Sequence, residues 1–433
     1  MYTDLKSILP FITKKDCDDI LLGKTNINTI LATNQHYLTD VESKAVEEIC
    51  EKYKAISKGQ VLNHITFKLS DLDLEMIRDV PQGGNWKDIP PETIKKSQRL
   101  IQITRTGGRT TLYGRLDYQK PSFTISTYFN RPGNGTFVHP VHNRTISPRE
   151  AARFQSFKDD YYFSGTKGKI PKQIGNAVPP LMAMQIALRI KEKTGYSKTI
   201  GLFSGAGGLT TGFKEAGMSS VLETDFDFDA CVTCKVNNPE IPVLCADITE
   251  KTTKDTIVEI ASSEGVDIIC GGPPCQGFSM AGKRFIDDPR NQLFKHYADV
   301  VGQIKPKVFV FENVEGLLSM SKGQVYREIF DLFSSFGYVM AGHVLNSVDY
   351  GVPQKRKRVI VIGVRNDLNI DPETLYPEKT TPMEKDRVTS KDTIDDLEDV
   401  PCGLKAYYDE TKTLSTYEKE MRSKLPYGVH INL

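Results

Sequence analysis

The chain has 433 residues, more than one ordinary domain holds, so we expect two or three domains. Its 56 basic and 55 acidic residues nearly cancel, which argues against a polybasic protein that binds nucleic acid without specificity but leaves room for a local basic cleft. The eight cysteines lack regular spacing and we recognise no signal peptide, so we expect a reduced cytoplasm. No apolar run approaches the roughly 18 residues needed to span a membrane.

Residues 1–60 are predicted to be helical. Thr39 or Asp40 can cap a helix whose apolar positions follow helical spacing. These positions are Val41, Ala45, Val46, Ile49, Cys50 and Tyr53. The pattern favours a segment that packs on the rest of the chain, with a DNA-reading helix-turn-helix as the alternative.

Residues 61–144 are rich in Gly, Arg, Thr, Tyr and Asn, and the short runs 100–104 and 123–127 resemble strands. Irregular β-structure of this composition suits contacts to phosphates and base edges, although solvated surface loops have the same texture. The candidate DNA contacts are Arg105, Arg109 and Arg115. The single tryptophan, Trp86, is interpreted equally well as a core anchor of a small domain or as an indole that a loop carries for such contacts.

Helical order returns over residues 145–195. Ser147, Pro148 and Glu150 form a capping-box pattern with proline at the first helical position. The stretch 173–180, Gln-Ile-Gly-Asn-Ala-Val-Pro-Pro, then leads into a helix that begins at Leu181.

From residue 199 strands alternate with helices, which predicts an α/β domain with a parallel sheet. The first strand runs into the glycine turn 204–209, the second ends in Glu223 and Asp225, and a third ends near Asp247. Glycines let the backbone approach a ligand, and an acid some twenty residues further on can bind ribose hydroxyls. The pattern therefore favours a nucleoside site with either Glu223 or Asp225 as the ribose ligand. The glycines lack the Gly-x-Gly-x-x-Gly register, which disfavours NAD.

Cys231 and Cys234 have no second cysteine pair and no histidine cluster nearby. We therefore interpret them as one face of a core helix and not as a zinc or redox site. No metal site is predicted from the sequence.

Cys275 follows the apolar run 266–270 and the sequence Gly-Gly-Pro-Pro. Two glycines and two prolines end a strand abruptly, which places the cysteine on a stiff turn where open α/β sheets bind their ligands. A lone cysteine is most often a small buried hydrophobe. The polar neighbours Gln276 and Ser279 instead favour a presented nucleophile.

Two further patterns belong to neighbouring strand ends. The strand 307–311 ends in Glu312, which could face the same crevice as Cys275 or serve as a helix N-cap acid. The cluster Lys355-Arg356-Lys357-Arg358 precedes the strand 359–363. Because side chains alternate along a strand, one pair of these cations can point into a cleft.

Together these motifs resemble the cytosine carbon-5 DNA methyltransferase family. Phe203-Ser-Gly-Ala-Gly-Gly is similar to its cofactor motif and Gly272-Pro-Pro-Cys-Gln-Gly-Phe-Ser to its nucleophile motif. Glu312-Asn-Val and Gln354-x-Arg-x-Arg are similar to the next two, and the stretches that begin at Ser147 and Gln173 to the last two. The match runs from about residue 60 to about 430. It implies a Rossmann-like S-adenosylmethionine-dependent methyltransferase sheet with a smaller, irregular, β-rich target-recognition domain.

In the usual family order the last two motifs stand at the carboxyl end, whereas here they precede the cofactor motif. The resemblance therefore implies a circular permutation, which is tolerated where chain ends lie close together. We accordingly divide the chain into a helical segment of unknown role (1–60), the target-recognition region (61–144), the permuted last two motifs (145–195), the cofactor-binding and catalytic domain (196–375) and a tail that leads back to the target-recognition region (376–433).

The resemblance implies a covalent mechanism at Cys275. Its thiolate would add to carbon 6 of cytosine, and a protonated Glu312 would partner N3 of the ring. Arg358 would hold the O2 edge, and Arg356 would support the nucleophile region. The base that removes the proton from carbon 5 is not identified.

S-adenosyl-L-methionine is the cofactor that the resemblance implies. Phe203 would stack on its adenine, Asp225 would bind its ribose and Asp247 would read its adenine amine. The remaining implied contacts are Ser204, Gly205, Ala206, Gly207, Gly208, Leu209, Ile248, Pro273, Leu293, Asn176 and Ala177.

A cytosine inside a duplex must be flipped out to reach such a pocket. Ser279, Lys283 and Arg284 lie in a stretch whose composition suits a loop that closes over the flipped base. We therefore expect a monomeric DNA (cytosine-5-)-methyltransferase of the bacterial cytosol or nucleoid. It would be the partner of a separate restriction endonuclease or a solitary modifier. RNA cytosine methylation and a non-catalytic DNA-binding regulator are the alternatives.

Overall fold

The computed structural model describes residues 1–33, 38–274, 293–397, 399, 401–402 and 404–424, which form two compact units. The first unit comprises Met1–Ile49, Val178–Tyr350 and Lys357–Thr380, and the second comprises Cys50–Ala177, Gly351–Arg356 and Thr381–Leu433. Residues 1–49 of the predicted helical segment 1–60 thus cluster with the first unit. The predicted segment 145–195 divides after Ala177.

The helices of the described residues are, in chain order, α1 (Tyr2–Ile8), α2 (Lys14–Leu21), α3 (Ile27–Thr33), α4 (Asp40–Ser57), α5 (Asp71–Arg78), α6 (Pro91–Ile94), α7 (Gln98–Thr106), α8 (Pro148–Phe154), α9 (Ile170–Asn176), α10 (Pro180–Thr194), α11 (Gly208–Glu215), α12 (Phe228–Asn237), α13 (Lys251–Glu264), α14 (Leu293–Ile304), α15 (Gln324–Ser335), α16 (Lys391–Ile394) and α17 (Thr416–Arg422). The strands are β1 (Gly114–Arg115), β2 (Ser122–Phe123), β3 (Thr136–Val138), β4 (Lys198–Leu202), β5 (Ser219–Asp225), β6 (Val243–Cys245), β7 (Ile268–Gly271), β8 (Val308–Val314), β9 (Tyr338–Asn346), β10 (Gln354–Lys355) and β11 (Lys357–Arg365). Across the described ranges, no helix has both the length and the apolar character that crossing a membrane requires.

The first unit is built on a seven-stranded sheet in the order β6-β5-β4-β7-β8-β11-β9. Strands β6, β5, β4, β7 and β8 pair in parallel, and β11 lies antiparallel between β8 and β9. The predicted α/β, Rossmann-like architecture is therefore confirmed. From β4 the chain builds outward through β5 and β6, then returns to place β7 on the other side of β4. Ligands bind at the carboxyl ends of strands where the order reverses in this way.

Apolar side chains fix these strands in place. Ile200, Ile269 and Phe309, from three neighbouring strands, are fully buried in one cluster with residues of α13, α14 and α15. Tyr297 of α14 is also fully buried, and its hydroxyl donates to the carbonyl oxygen of Ile269 (3.2 Å) or Val310 (3.0 Å). A strand covered on both faces reads as a continuous apolar run, which is why these strands were visible in the sequence.

Helix α10 belongs to the first unit because it packs closely on α11. A Cβ added to Gly212 of α11 would lie 2.5 Å from the Cβ of Ala183 and 2.5 Å from the carbonyl oxygen of Pro180. The second of the predicted permuted motifs therefore leads directly into a helix of the sheet unit.

The second unit contains less β-structure than predicted. Among its described residues, the strands β1, β2, β3 and β10 are two or three residues long, and residues 100–104 lie inside α7. The amide of Leu100 donates to the Ser97 hydroxyl (3.3 Å), which caps this helix. Leu100 and Ile103 pack in a cluster around the buried Trp86. A cap and apolar residues three positions apart prevail over the β-propensity of isoleucine and threonine. Trp86 is thus a core anchor.

Helix α8 has the predicted capping box. The Ser147 hydroxyl accepts from the Glu150 amide (3.1 Å), and the Ser147 amide donates to the Glu150 carboxylate (2.7 Å). Arg153, fully buried on this helix, donates from Nε to Asp159 (2.9 Å) and from Nη2 to Asp396 of the tail (3.1 Å). Buried ion pairs therefore hold the tail on α8.

Candidate active site

A cavity of about 240 Å³ lies at the carboxyl ends of β4, β5 and β6. Its lining is Phe203, Thr224, Asp225, Phe226, Ala246, Asp247, Ile248, Thr249 and Leu293. The predicted cofactor residues Phe203, Asp225, Asp247, Ile248 and Leu293 are therefore brought together at one site. An aromatic ring and two carboxylates suit an adenine base and the hydroxyls of a ribose.

The turn after β4 uses left-handed backbone conformations. Phe203, Gly205 and Gly207 have φ angles of 54°, 52° and 82°. Such angles are ordinary for glycine but costly for a residue with a side chain. Phe203 is held there while its ring lines the cavity. Ala206 and Leu209 are buried and support the turn without lining the cavity.

Of the two acids on β5, Asp225 is among the residues that line the cavity and Glu223 is not. Oδ2 of Asp225 accepts from the Gly205 amide (2.8 Å) and its Oδ1 from the Asp227 amide (2.9 Å). Burial raises the pKa of Asp225 above its ordinary value, and these amide bonds oppose the rise. Glu223 is 1% exposed and binds Ser204 and Ser220 instead. The structure thus favours Asp225 as the ribose ligand.

Phe226 is a lining residue that our sequence analysis missed. Its side chain is 70% exposed although it is large and apolar. An exposed aromatic ring at a cavity mouth gives a ligand a surface for stacking. The available signal was its position directly after the strand-end acid Asp225.

Glu312 and Arg358 form an ion pair on adjacent strands β8 and β11, with 2.9 Å between Arg358 Nε and Glu312 Oε1. Both side chains are largely buried. Burial lowers the pKa of Arg358, and the Glu312 carboxylate opposes this. A Cβ added to Gly272 would lie 2.6 Å from Glu312 Oε2, so the carboxylate lies against the backbone that leads to Cys275. Pro273 is fixed beside it, because its carbonyl accepts from Asn313 Nδ2 (3.0 Å).

The alternation predicted for the basic cluster is confirmed. Lys355 and Lys357 are exposed, whereas Arg356 is fully buried and Arg358 largely so. Arg356 donates to the carbonyl oxygens of Ile125 (3.1 Å) and Gly175 (2.9 Å), all within the second unit. These contacts give Arg356 a role in holding backbone segments together.

The structure does not bring every candidate into the site of the first unit. Asn176 and Ala177 belong to the second unit, as does Arg356. The predicted nucleophile and the predicted loop contacts lie outside the described residues; they are Cys275, Ser279, Lys283 and Arg284.

The prediction that Arg115 contacts DNA is wrong. Its side chain is buried, and its guanidinium donates to the carbonyl oxygens of Val80 (2.6 Å), Ile77 (2.7 Å) and His139 (2.8 Å). It therefore satisfies backbone acceptors inside the second unit. The neighbouring candidates Arg105 and Arg109 are exposed.

Cys231 and Cys234 lie on α12, and each is 1% exposed, as expected for one face of a core helix. Burial raises the pKa of both thiols well above the ordinary value. Within the described ranges, no cluster of three or more histidine, cysteine or acidic side chains could hold a metal ion.

Comparison with known proteins gives a consistent set of matches. A family model described as C-5 cytosine-specific DNA methylase matches residues 9–192 and 197–429. The chain is 41% identical over 230 residues to the Type II methyltransferase M.XorII of Xanthomonas oryzae, which covers 50% of this chain and 52% of that protein. It is 40% identical over 207 residues to M.DdeI of Desulfomicrobium norvegicum. That match covers 47% of this chain and 49% of that protein. To M.AquIA of Picosynechococcus sp. it is 43% identical over 179 residues. That match covers 39% of this chain and 72% of that protein. The chain thus spans about half the length of the first two relatives.

Proposed function

Because the chain belongs to the C-5 cytosine-specific DNA methylase family, we propose that it transfers a methyl group from S-adenosyl-L-methionine to carbon 5 of a cytosine flipped out of a specific duplex DNA sequence. The observation that carries this proposal is the Glu312–Arg358 pair, which lies against the Gly272–Pro273 turn immediately before Cys275. A nucleophile and its electrostatic partners at neighbouring strand ends suit attack on a polar ring.

The cavity beside β5 fits S-adenosyl-L-methionine. Phe203 and Phe226 offer aromatic surface, and Asp225 and Asp247 offer acceptors for hydroxyl and amine groups. When bound, this cofactor supplies an electrophilic methyl group. Relatives named Type II methyltransferases support the same choice.

Activation of the cytosine ring falls to the residues of the chain. Carbon 5 is a weak nucleophile until the Cys275 thiolate adds to carbon 6, which makes the ring enamine-like. Negative charge then develops toward N3, where Glu312, ionised in its pair with Arg358 before the base binds, donates once it has taken up a proton. Arg358 fixes Glu312 through Nε, and its Nη1 donates to the Lys357 carbonyl (2.8 Å), so Nη2 is the group that it presents to the O2 edge. Loss of the carbon-5 proton and release of the thiol complete the reaction.

A covalent trap tests this function. DNA carrying 5-fluorocytosine should form a stable adduct with the wild-type protein and cofactor, since fluorine cannot leave as a proton would. Cys275→Ala should form none. An equal adduct with the alanine variant would refute the role of Cys275. Tritium transfer to duplex DNA and to transfer RNA separates the two substrate classes, and label in RNA alone would overturn the DNA assignment.

The same proposal extends to where the protein acts, its oligomeric state and its link to restriction. We propose that the protein acts on DNA in the cytosol as a monomer, beside a separate restriction endonuclease or as a solitary modifier. The names of the Type II relatives support the link to restriction. Sequencing of methylated cytosines in DNA from expressing cells would identify the target, and light scattering would measure the oligomeric state.

We also propose that the chain is a circular permutant of the usual motif order. The amide of Val61 donates to the carbonyl of Ala406 (2.9 Å), and the Cys402 thiol to that of Thr66 (3.4 Å). These contacts of the second unit join the tail to the segment that would follow it in the usual order. A gene that opens before residue 197 and joins the tail through a flexible linker to Met1, so that residues 1–49 of the first unit are kept, should encode an active enzyme. An inactive but folded product would contradict the proposal.

A further inference from the structure

Glu223 is a buried carboxyl group for which the proposed reaction has no use. It lies on β5 opposite Gly201 of β4, and its side chain is almost fully buried. Its Oε2 accepts from the Ser204 hydroxyl and its Oε1 from the Ser220 hydroxyl, each at 2.6 Å. A Cβ on Gly201 would overlap Oε2, so the glycine provides the space for this carboxyl group.

These hydrogen bonds connect Glu223 to the turn that borders the cofactor cavity. The Ser204 hydroxyl that Glu223 binds also accepts from the Thr224 amide (3.3 Å), and the Ser204 amide donates to the Thr224 carbonyl (2.9 Å). The next amide, of Gly205, donates to Asp225 (2.8 Å). A continuous set of contacts thus runs from Glu223 through Ser204 and Gly205 to the carboxylate that faces the cavity.

We propose that Glu223 is a positioning residue for the cofactor site, which holds the Ser204–Gly205 turn so that the Gly205 amide orients Asp225. It does not touch the ligand and acts through Ser204. The inference rests on the proposed function, because the ligand it serves is S-adenosyl-L-methionine. Three hydroxyl donors, from Ser204, Ser220 and Thr210, oppose the rise that burial causes in its pKa.

Substitution of Glu223 separates this role from simple packing. Glu223→Ala removes the acceptor of the Ser204, Ser220 and Thr210 hydroxyls and frees the turn, so it should weaken binding of S-adenosylhomocysteine about tenfold by isothermal titration calorimetry. Glu223→Gln should stay within about threefold of the wild type. Its amide oxygen can accept from Ser204 while its amide nitrogen donates to Ser220. The proton of Ser220 can then go to the carbonyl of Leu222, at 3.3 Å.

A matched control distinguishes loss of positioning from loss of stability. Ile329→Ala creates a cavity under α15 in the same core and should lower the melting temperature without changing the affinity. In steady state, Glu223→Ala should raise KM for the cofactor and leave kcat near the wild-type value, because Asp225 binds the cofactor without entering the chemistry. Should Glu223→Ala fail to fold, Ser204→Ala breaks the same link with a smaller loss of packing.

The outcomes are distinct. Weaker binding by Glu223→Ala, restored by Glu223→Gln and absent in Ile329→Ala, supports the positioning role. Wild-type affinity in both Glu223→Ala and Ser204→Ala overturns it, as does an equal loss in Ile329→Ala. A wild-type protein that does not bind S-adenosylhomocysteine overturns the proposed function itself.

Discussion

Arg358 donates from Nε to Oε1 of Glu312 across 2.9 Å, and the pair joins the ends of two antiparallel strands. Because both side chains are largely buried, each depends on the other for charge compensation. The pair therefore acts as one unit, and a change in either member should affect both.

Glu312→Gln should lower the rate of methyl transfer to duplex DNA by about 100- to 1,000-fold, since an amide cannot supply a proton toward N3. Affinity for S-adenosylhomocysteine should be unchanged, because Glu312 is not among the residues that line the cofactor cavity. Arg358→Lys should lose most of the rate as well, since lysine cannot reproduce the fixed Nε contact. Tritium transfer measures the rate, and near wild-type transfer by Glu312→Gln would rule out its assigned role.

Phe226→Ala should weaken cofactor binding about three- to tenfold, the amount expected for one lost aromatic contact. Its thermal stability should equal that of the wild type, because the ring is 70% exposed. Phe228→Ala is the matched control, being another exposed phenylalanine (41%) that is not among the lining residues. Equal affinities of the two variants for S-adenosylhomocysteine would show that Phe226 does not contact the ligand.

Acid should destabilise the second unit through His139. Burial lowers the pKa of this imidazole from 6.5 to about 3, although the Glu150 carboxylate, 3.7 Å away, favours the charged form. Below pH 6.5 the unfolded chain therefore takes up a proton that the folded state refuses until about pH 3. The free energy of unfolding should fall by about 2 kcal/mol between pH 7.5 and pH 5 from this group.

His139→Asn provides the comparison for that pH dependence. Nδ1 of His139 accepts from the amides of Val141 and His142, both at 3.1 Å, and an asparagine oxygen can occupy a similar position without titrating. The difference in urea-unfolding free energy between the two proteins should then shrink as the pH falls. The pKa of Glu418, raised to about 7 mainly by burial, has the opposite effect, but it is common to both proteins and cancels. A constant difference would contradict the assignment.

Arg115 and Arg109 should behave differently when replaced by alanine. Arg115→Ala removes the guanidinium that donates to the carbonyl groups of Val80, Ile77 and His139, of which Ile77 keeps its bond from the Val80 amide (3.3 Å), so it should lower the melting temperature clearly. Arg109→Ala removes an exposed charge and should leave stability within about 0.5 kcal/mol. If Arg109 contacts a phosphate, its loss should also reduce the salt dependence of DNA binding. The slope of the logarithm of the binding constant against the logarithm of the salt concentration should change by about one. Fluorescence anisotropy at several salt concentrations measures this slope.

The sheet and most of its ligand-facing residues were predictable because their signals are local. Buried parallel strands are continuous apolar runs, and candidate site residues such as Phe203, Asp225 and Glu312 stand where those runs stop. The orientation of Glu223 was not predictable, since it depends on the space above Gly201 and on hydroxyls from two other segments. Arg115 was misassigned for a similar reason. A guanidinium that binds backbone carbonyls looks the same in sequence as one that binds phosphate.

Helix α7 shows the limit of local propensity. Its residues 101–104 alternate apolar and polar side chains as a strand does, yet the Ser97 cap and the packing of Leu100 and Ile103 around Trp86 favour a helix. A strand and a helix differ in which of these residues meet the core, and here that is decided by residues outside the segment, Ser97 and Trp86.

The buried pair of Arg153 and Asp396 has a consequence for synthesis on the ribosome. The two residues are 243 positions apart, so the whole intervening segment must emerge before Arg153 meets this carboxylate. Tyr417, whose hydroxyl donates to the Arg153 carbonyl (2.5 Å), arrives later still. Domains usually fold during translation as their last segment appears. In this chain the unit that carries α8 cannot close until residue 417 has been made, whereas the strands β4 to β11, which end at Arg365, are already complete.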